Sequence, residues 1–432
     1  MAAHRWNSAA ATNCRKSIVN TEPVERPARN VGLGLLLAIL VANGVAHSVF
    51  VIAMPIIGRQ LGLADVQTGV ILTVSAVVMM LAAPSWGRYS ERAGRRAVVA
   101  AGILASGIFL LAVAGVVFLR QSLLLTLPLT FCLLFGLRLL QAVGVGGVMP
   151  ASQAYVADAT GRAARTRGMG LMGAAFGAGT ILGGAAAAIL GQWVAVQGLL
   201  GLGALLLLVW WGLCRRLPEI RQPVPGRIAE RGALPYATLW PMLLLTFCAL
   251  LIYGMLQQVI GLRLQDQFGY SSAEALRATG IAMMLTMAVM VIVQLGFLRF
   301  VDWPAARVLR WGCGLLVLAL TLATLSTGYG QLLMSMVLVG GAMGLVFPGN
   351  LALLSLAVGA NAQGRIAGVN GVSKGLGLAL GPVSGAALHQ FSVSAPFVLG
   401  IVLALVMVLL AFWGSQPEKA DTLLECDGAG QI

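Results

Sequence analysis

The amino-acid sequence predicts an all-α membrane protein with twelve transmembrane helices in two homologous six-helix halves. Composition is the first reason. Of 432 residues, 59% are hydrophobic and 10% charged, whereas an ordinary soluble domain carries roughly 25% charged residues. The spacing of apolar runs is the second. Stretches long enough to span hydrocarbon, ~20 residues each, are centred near residues 44, 77, 107, 135, 180, 205, 250, 285, 316, 342, 377 and 404. The third is an internal repeat, common in transporter architectures. A shift of 198 residues lays Pro150 on Pro348, Arg167 on Arg365, and Gly170, Gly173, Gly177, Gly179 and Gly183 on Gly368, Gly371, Gly375, Gly377 and Gly381 without a gap.

The elements follow in order. Residues 1–29 form a polar tail with no short apolar core before a cleavage site, so no secretory signal is expected and the first helix serves as its own insertion signal. The first six helices occupy 30–214. The run 124–157, like 331–357 in the second half, reads as one helix plus a cytoplasmic extension. A Pro- and Arg-rich connection, 215–238, is a linker. Six more helices occupy 239–414, and 415–432 is a polar tail. The fifth and eleventh helices carry glycine ladders. Gly173, Gly177 and Gly183, and their repeats Gly371, Gly375 and Gly381, let helix backbones approach closely, either as static packing or as a smooth contact along which the halves slide. Gly381-Pro382 adds a kink.

Charge sets the orientation. The net charge is +14, yet all but six of the 28 Lys and Arg fall in one set of loops and tails. Arg59, Arg120, Arg263 and Arg277 lie on the opposite side, and Arg138 and Lys374 lie within spans. Short cationic loops stay cytoplasmic, so both termini are expected there, with the basic loops against anionic lipid heads. That distribution excludes a nucleic-acid footprint. Six scattered cysteines form no metal or redox motif. Only three lysines occur and none follows glycine, so no phosphate-binding loop is encoded. No enzyme activity, cofactor or metal is expected, and nothing demands more than a monomer.

The residues that carry chemistry are few. All fourteen Asp and Glu fall in loops, tails or helix ends. Intramembrane charges are costly and usually face a water-filled cavity. Arg138 sits about 21 Å into its helix at 1.5 Å per residue, as a substrate or proton-coupling cation or as a donor to neighbouring carbonyls. Lys374 is shallower and able to snorkel. His47, beside Asn43, is a proton carrier or a buried neutral imidazole. Gln141, Gln257, Gln258, Asn350 and Asn370 are amides that either orient a ligand or join helices. A cavity with positive charge and no carboxylate favours anionic or zwitterionic solutes: hydroxycarboxylate siderophores, organic acids or zwitterionic antibiotics rather than lipophilic cations.

The decapeptide Gly87-Arg88-Tyr89-Ser90-Glu91-Arg92-Ala93-Gly94-Arg95-Arg96 resembles the signature between the second and third helices of the major facilitator superfamily. Leu137-Arg138-Leu139-Leu140-Gln141-Ala142-Val143-Gly144 resembles the fourth-helix motif of its proton-coupled members, with Ala142 replacing a glycine. Phe176-Gly177-Ala178-Gly179-Thr180-Ile181-Leu182-Gly183-Gly184 is similar to the fifth-helix motif of the twelve-helix drug:proton antiporter branch, with Gly184 where that motif has proline. The resemblance covers about 31–414. It implies a secondary transporter in a bacterial inner membrane that exports a small organic molecule by proton antiport and alternating access. Within it, Gly87, Glu91, Arg92, Gly94, Arg95, Arg96 and Asp158 are expected to form a cytoplasmic charge cluster that latches one access state. A proton-coupled importer of organic anions and a non-transporting membrane sensor are the alternatives.

Overall fold

A computed structural model describes residues 26–159, 165–190, 195–219, 235–300, 303–358 and 362–413. The first half contains α1 (Arg26–Gln60), α2 (Asp65–Ala93), α3 (Arg95–Gln121), α4 (Leu127–Ala159), α5 (Arg165–Leu190) and α6 (Ala195–Val209), the last prolonged by a π-helical turn, Trp210–Cys214. The second contains α7 (Tyr236–Asp266), α8 (Ser272–Ile292, prolonged by a π-helical turn, Val293–Phe297), α9 (Ala305–Leu325), α10 (Tyr329–Leu356), α11 (Gln363–Phe391) and α12 (Ala395–Trp413). Eleven of these are long and apolar enough to cross a membrane. The other, α11, has 29 residues, but Asn370, Ser373, Lys374 and its glycines dilute its hydropathy. The protein is a multi-pass integral membrane protein. Of the two expected extensions, the first is a separate helical stretch, Val148–Ala159, set off from Leu127–Val145 by a turn at Gly146-Gly147, whereas α10 is one uninterrupted helix.

An even number of spans places the start of α1 and the finish of α12 at one end of the bundle, called here the near end. The far end holds the turns after α1, α7 and α11. Near-end turns are built by charge. Gly94 takes φ +100°, a conformation costly for residues with a Cβ, and a methyl there would lie 2.7 Å from the Glu219 carboxylate. That carboxylate accepts the backbone N–H groups of Arg95 (2.8 Å) and Arg96 (3.2 Å) at the α3 N-terminus, where the helix dipole favours an anion. Arg96 donates to the Cys214 and Arg215 carbonyls at the end of α6.

The halves meet through α2 against α11, α5 against α8, and α1 against α7 and α8. Close approach is confined to the far-end side. A methyl on Gly69 would lie 3.0 Å from the Pro382 carbonyl oxygen, and one on Gly184 would lie 2.8 Å from the Met284 nitrogen. Gly261 faces Ile56 in the same way at 3.0 Å.

Toward the near end the same faces part. Gly177, Gly173 and Gly170 lie seven, eleven and fourteen residues before Gly184, so at 3.6 residues per turn they share its face, yet methyls on them would meet nothing within 4 Å. On α11, Gly375, Gly371 and Gly368 stand in the same relation to Pro382. Gly375 abuts the flexible end of Met80, and the other two face open space. The ladder expectation therefore divides. Gly183 packs on Val45 and Ser48, and Gly381 on Leu251 and Met255, each within its own half. Gly173, Gly177 and Gly371 pack on nothing here, because the halves are splayed on their side.

Candidate functional site

The far end is closed by a charge junction. Arg59, in the last turn of α1, gives two hydrogen bonds to Asp65 at the start of α2 (2.7 and 2.6 Å). It gives two more to Asp266 at the end of α7 (both 2.7 Å), across the boundary between halves. His389 Nε2, from the last turn of α11, lies 2.8 Å from Asp266 Oδ2, an oxygen that also accepts from Arg59 Nη2. Below this junction, Gln258 donates to Thr68 Oγ1 at 2.9 Å, and Thr73 Oγ1 accepts the Val383 N–H at 3.3 Å. These bonds tie the halves together on one side only.

The expected near-end latch is different in structure. Arg95 pairs with Asp158 (3.3 Å) and donates to Ser90 (2.8 Å), all within the first half. Glu91, Arg88 and Arg92 are exposed and make no hydrogen bond or ion pair among the described residues. Glu91 was expected to pair with nearby arginines. Glu219 takes that place, because its carboxylate reaches the free N–H groups that open α3. Arg162, which the sequence places just beyond Asp158, lies outside the described residues. The Arg95–Asp158 pair thus lies within the first half.

Arg138 is buried, 8% exposed, inside the first half. Its guanidinium lies 4.6 Å from the centre of the Phe50 ring and 5.7 Å from that of Phe109. Those rings meet edge to face at 5.0 Å. Cation–π contacts of this desolvated kind contribute about 2 kcal/mol. Nε donates to Ser75 Oγ at 3.1 Å, Nη1 donates to Gln141 Oε1, and Gln141 Nε2 lies 3.4 Å from Ser106 Oγ. Helices α1 to α4 thus each supply part of a cage. His47, half-buried one turn from Phe50, stacks obliquely on Phe176 of α5 at 6.1 Å and lies within range of the Arg138 charge. Asn43 is buried one turn earlier.

The second half holds a cavity of about 220 Å³ between α7, α8, α10 and α11. Lys374, Asn350, Asn370, Thr246 and Gln294 supply its polar wall, and Phe347, Pro348 and Leu351 its apolar wall. Lys374 is exposed and has no hydrogen-bond or ion-pair partner among the described residues. Gln257, by contrast, donates to Tyr253 Oη at 3.2 Å and is not among the cavity's lining residues. No group of three or more metal-ligating side chains occurs among the described residues.

The Major Facilitator Superfamily profile matches residues 36–382 and, in a second overlapping match, 303–426. The chain belongs to the major facilitator superfamily. Multidrug resistance protein 1 of Bacillus subtilis is 26% identical over 407 residues, covering 91% of this chain and 99% of that protein. The class E tetracycline resistance protein of Escherichia coli is 32% identical over 161 residues, 36% of this chain and 35% of that one. A bacterial homologue of the human lysosomal transporter Spinster, solved in an inward-facing and occupied conformation, superposes with a TM-score of 0.72 at 16% identity, covering 91% of this chain and 98% of that one. Members of this family are transporters of small molecules and not enzymes.

In this facilitator the sequence-predicted site residues form two groups. Arg138, Gln141 and His47 come together in the first half. Lys374 and Asn370 come together in the second, with Asn350 and Thr246. The Arg59–Asp266–His389 junction was not anticipated as a site. Its signal was an arginine and an aspartate six residues apart flanking a short turn, with a matching acid at the end of the seventh helix.

Proposed function

We propose that this facilitator exports small organic anions or zwitterions from the cytoplasm in exchange for protons, by alternating access. The observation that carries the reading is the asymmetry of the interface between halves. It is tied by Arg59–Asp266 and small-residue contacts at one end and parted along Gly170–Gly177 and Gly368–Gly371 at the other. Basic loops surround the parted end, which supports a cytoplasmic opening. Efflux is supported by the names of the B. subtilis and E. coli relatives and by the glycine motif on α5. The charge preference rests on two intramembrane cations, Arg138 and Lys374, without an intramembrane carboxylate.

In this cycle solute enters from the near end, the α5 and α11 glycine faces close over it, and the far-end junction breaks. His47 is the candidate proton carrier, because protonation beside Arg138 adds a second positive charge to the same half. The near-end cluster of Gly87, Glu91, Arg95 and Asp158 would then meet the second half and hold the closed state.

The test is small-molecule profiling of medium and cytoplasm in cells with and without the protein, repeated with the proton gradient collapsed. An acidic solute that builds up inside without the protein, and whose export stops with the gradient, is the expected result. A solute left unused in the medium would turn the reading to uptake.

A further inference from the structure

We infer that the α7–α8–α10–α11 cavity is the seat for the solute's anionic group, with Lys374 as counter-charge and two asparagines as orienting amides. The inference rests on the transport reading above. It moves the charged binding site from Arg138, where depth alone points, to the other half of the protein.

The argument is one of unfilled valences. Arg138 has partners on its face and at its edges. Lys374 has three N–H donors and no acceptor among the described residues, and an intramembrane charge of this kind turns toward a water-filled cavity. No acid is among the described residues that line its cavity. The asparagines beside it are fixed by their own bonds. Asn350 Nδ2 donates to the Met242 carbonyl (2.9 Å) and to Thr246 Oγ1 (2.7 Å). Thr246 Oγ1 in turn donates to Asn370 Oδ1 at 2.8 Å.

That chain of bonds leaves one free atom on each amide. Asn370 is 4% exposed; its oxygen accepts from Thr246, and its Nδ2 has no hydrogen-bond partner among the described residues. Asn350 is 3% exposed, with both hydrogens occupied and its Oδ1 buried without a partner. Buried amide atoms are seldom left unsatisfied. The cavity therefore presents an ammonium and an amide donor against an apolar wall of Phe347 and Leu351, with the Asn350 oxygen buried behind them.

The complementary ligand end is a carboxylate, which meets Lys374 and Asn370 Nδ2. The volume is below the ~300–1,000 Å³ of whole drug-sized pockets. It suits the head of a hydroxy acid or of an amino-acid-like zwitterion, with the remainder of the solute lying in the gap between halves.

Lys374 is chemically addressable, since the only other lysines are Lys16 and Lys419 in the tails. The experiment follows acetylation of the three amines by mass spectrometry on the full chain in lipid nanodiscs. Three probes are compared: salicylate (carboxylate plus hydroxyl), benzoate (carboxylate alone) and benzamide (neither). Salicylate or benzoate at ten times its Kd should slow acetylation of Lys374 by about tenfold, benzamide at the same concentration should not, and Lys16 and Lys419 should be unaffected. An Asn370→Leu protein should weaken the protection by either carboxylate. Equal effects of all three probes, or none from any, would overturn the seat. Export that survives in cells while protection fails would remove this inference and leave the transport reading. Protection without export would do the reverse.

Discussion

Arg138 and Lys374 are the two cations that the sequence places inside the membrane, one in each half, and their surroundings are opposites. Arg138 is saturated: two phenylalanine faces, a serine and a glutamine, from four helices, leave it little capacity for a ligand. Lys374 lines a cavity and has no hydrogen-bond or ion-pair partner among the described residues. Depth in the bilayer marks both as unusual, but only valence separates a charge that holds a bundle together from one that waits for a partner. Fully buried Arg263 makes the same point. It donates to the Ala323 carbonyl at 2.7 Å and the Ser326 carbonyl at 3.1 Å and lies 4.5 Å from the centre of the Phe397 ring, so it behaves as a structural staple.

The sharpest way to break the comparison is to truncate both. Arg138→Ala leaves Ser75 and Gln141 without their partner and a void between two rings, so thermal unfolding in detergent should show a loss of about 2–5 kcal/mol. Lys374→Ala should leave stability within about 0.5 kcal/mol, the range for a substitution that removes no packed contact, while abolishing transport of anionic solutes. An Arg138→Ala protein of unchanged stability that loses transport, beside a Lys374→Ala protein that keeps it, would reverse the assignment.

The two ends of the interface permit a similar contrast. Gly184→Leu forces a side chain against the Gly280 and Met284 backbones and should cost about 1–3 kcal/mol by overpacking. A Thr73→Cys probe at the interface should then react faster with an impermeant thiol reagent added from the far side. Arg59→Gln acts in the same direction but less strongly. Its pairs are partly exposed, and such pairs contribute up to ~1 kcal/mol, so labelling should rise by no more than about fivefold. Glu91→Gln is the smallest change. With no partner here, it should leave the unfolding midpoint unmoved to within about 0.5 kcal/mol, and a clear loss of stability would show a contact absent from this conformation.

Much of the fold was legible because charge and glycine are coarse signals. The decapeptide from Gly87 punctuates two spans, and the 198-residue repeat aligns α5 with α11, whichever helices they touch. The site was legible only as a list. That Arg138 lies deep could be counted along one helix, but Phe50, Phe109 and Ser75 come from three other helices, and sequence does not say which faces converge. The division of the glycine ladders was hidden for a different reason: the same face is packed at Gly184 and bare at Gly173, a property of one conformation and not of the residues. The Arg59 junction escaped because each member sits at a helix end, where charges are ordinary. What makes it special is that Asp266 and His389 arrive from the other half.

That junction gives the far side of the membrane a say in the transport cycle. If the halves part there, Arg59 and Asp266 must exchange each other for water, and dissolved ions then compete for the same charges. At physiological ionic strength the screening length is about 8 Å, comparable to the first opening of such a gap. External salt should therefore hold the door ajar, and dilution should pull it shut. Turnover would depend on the medium into which the solute is released, even with the binding site unchanged.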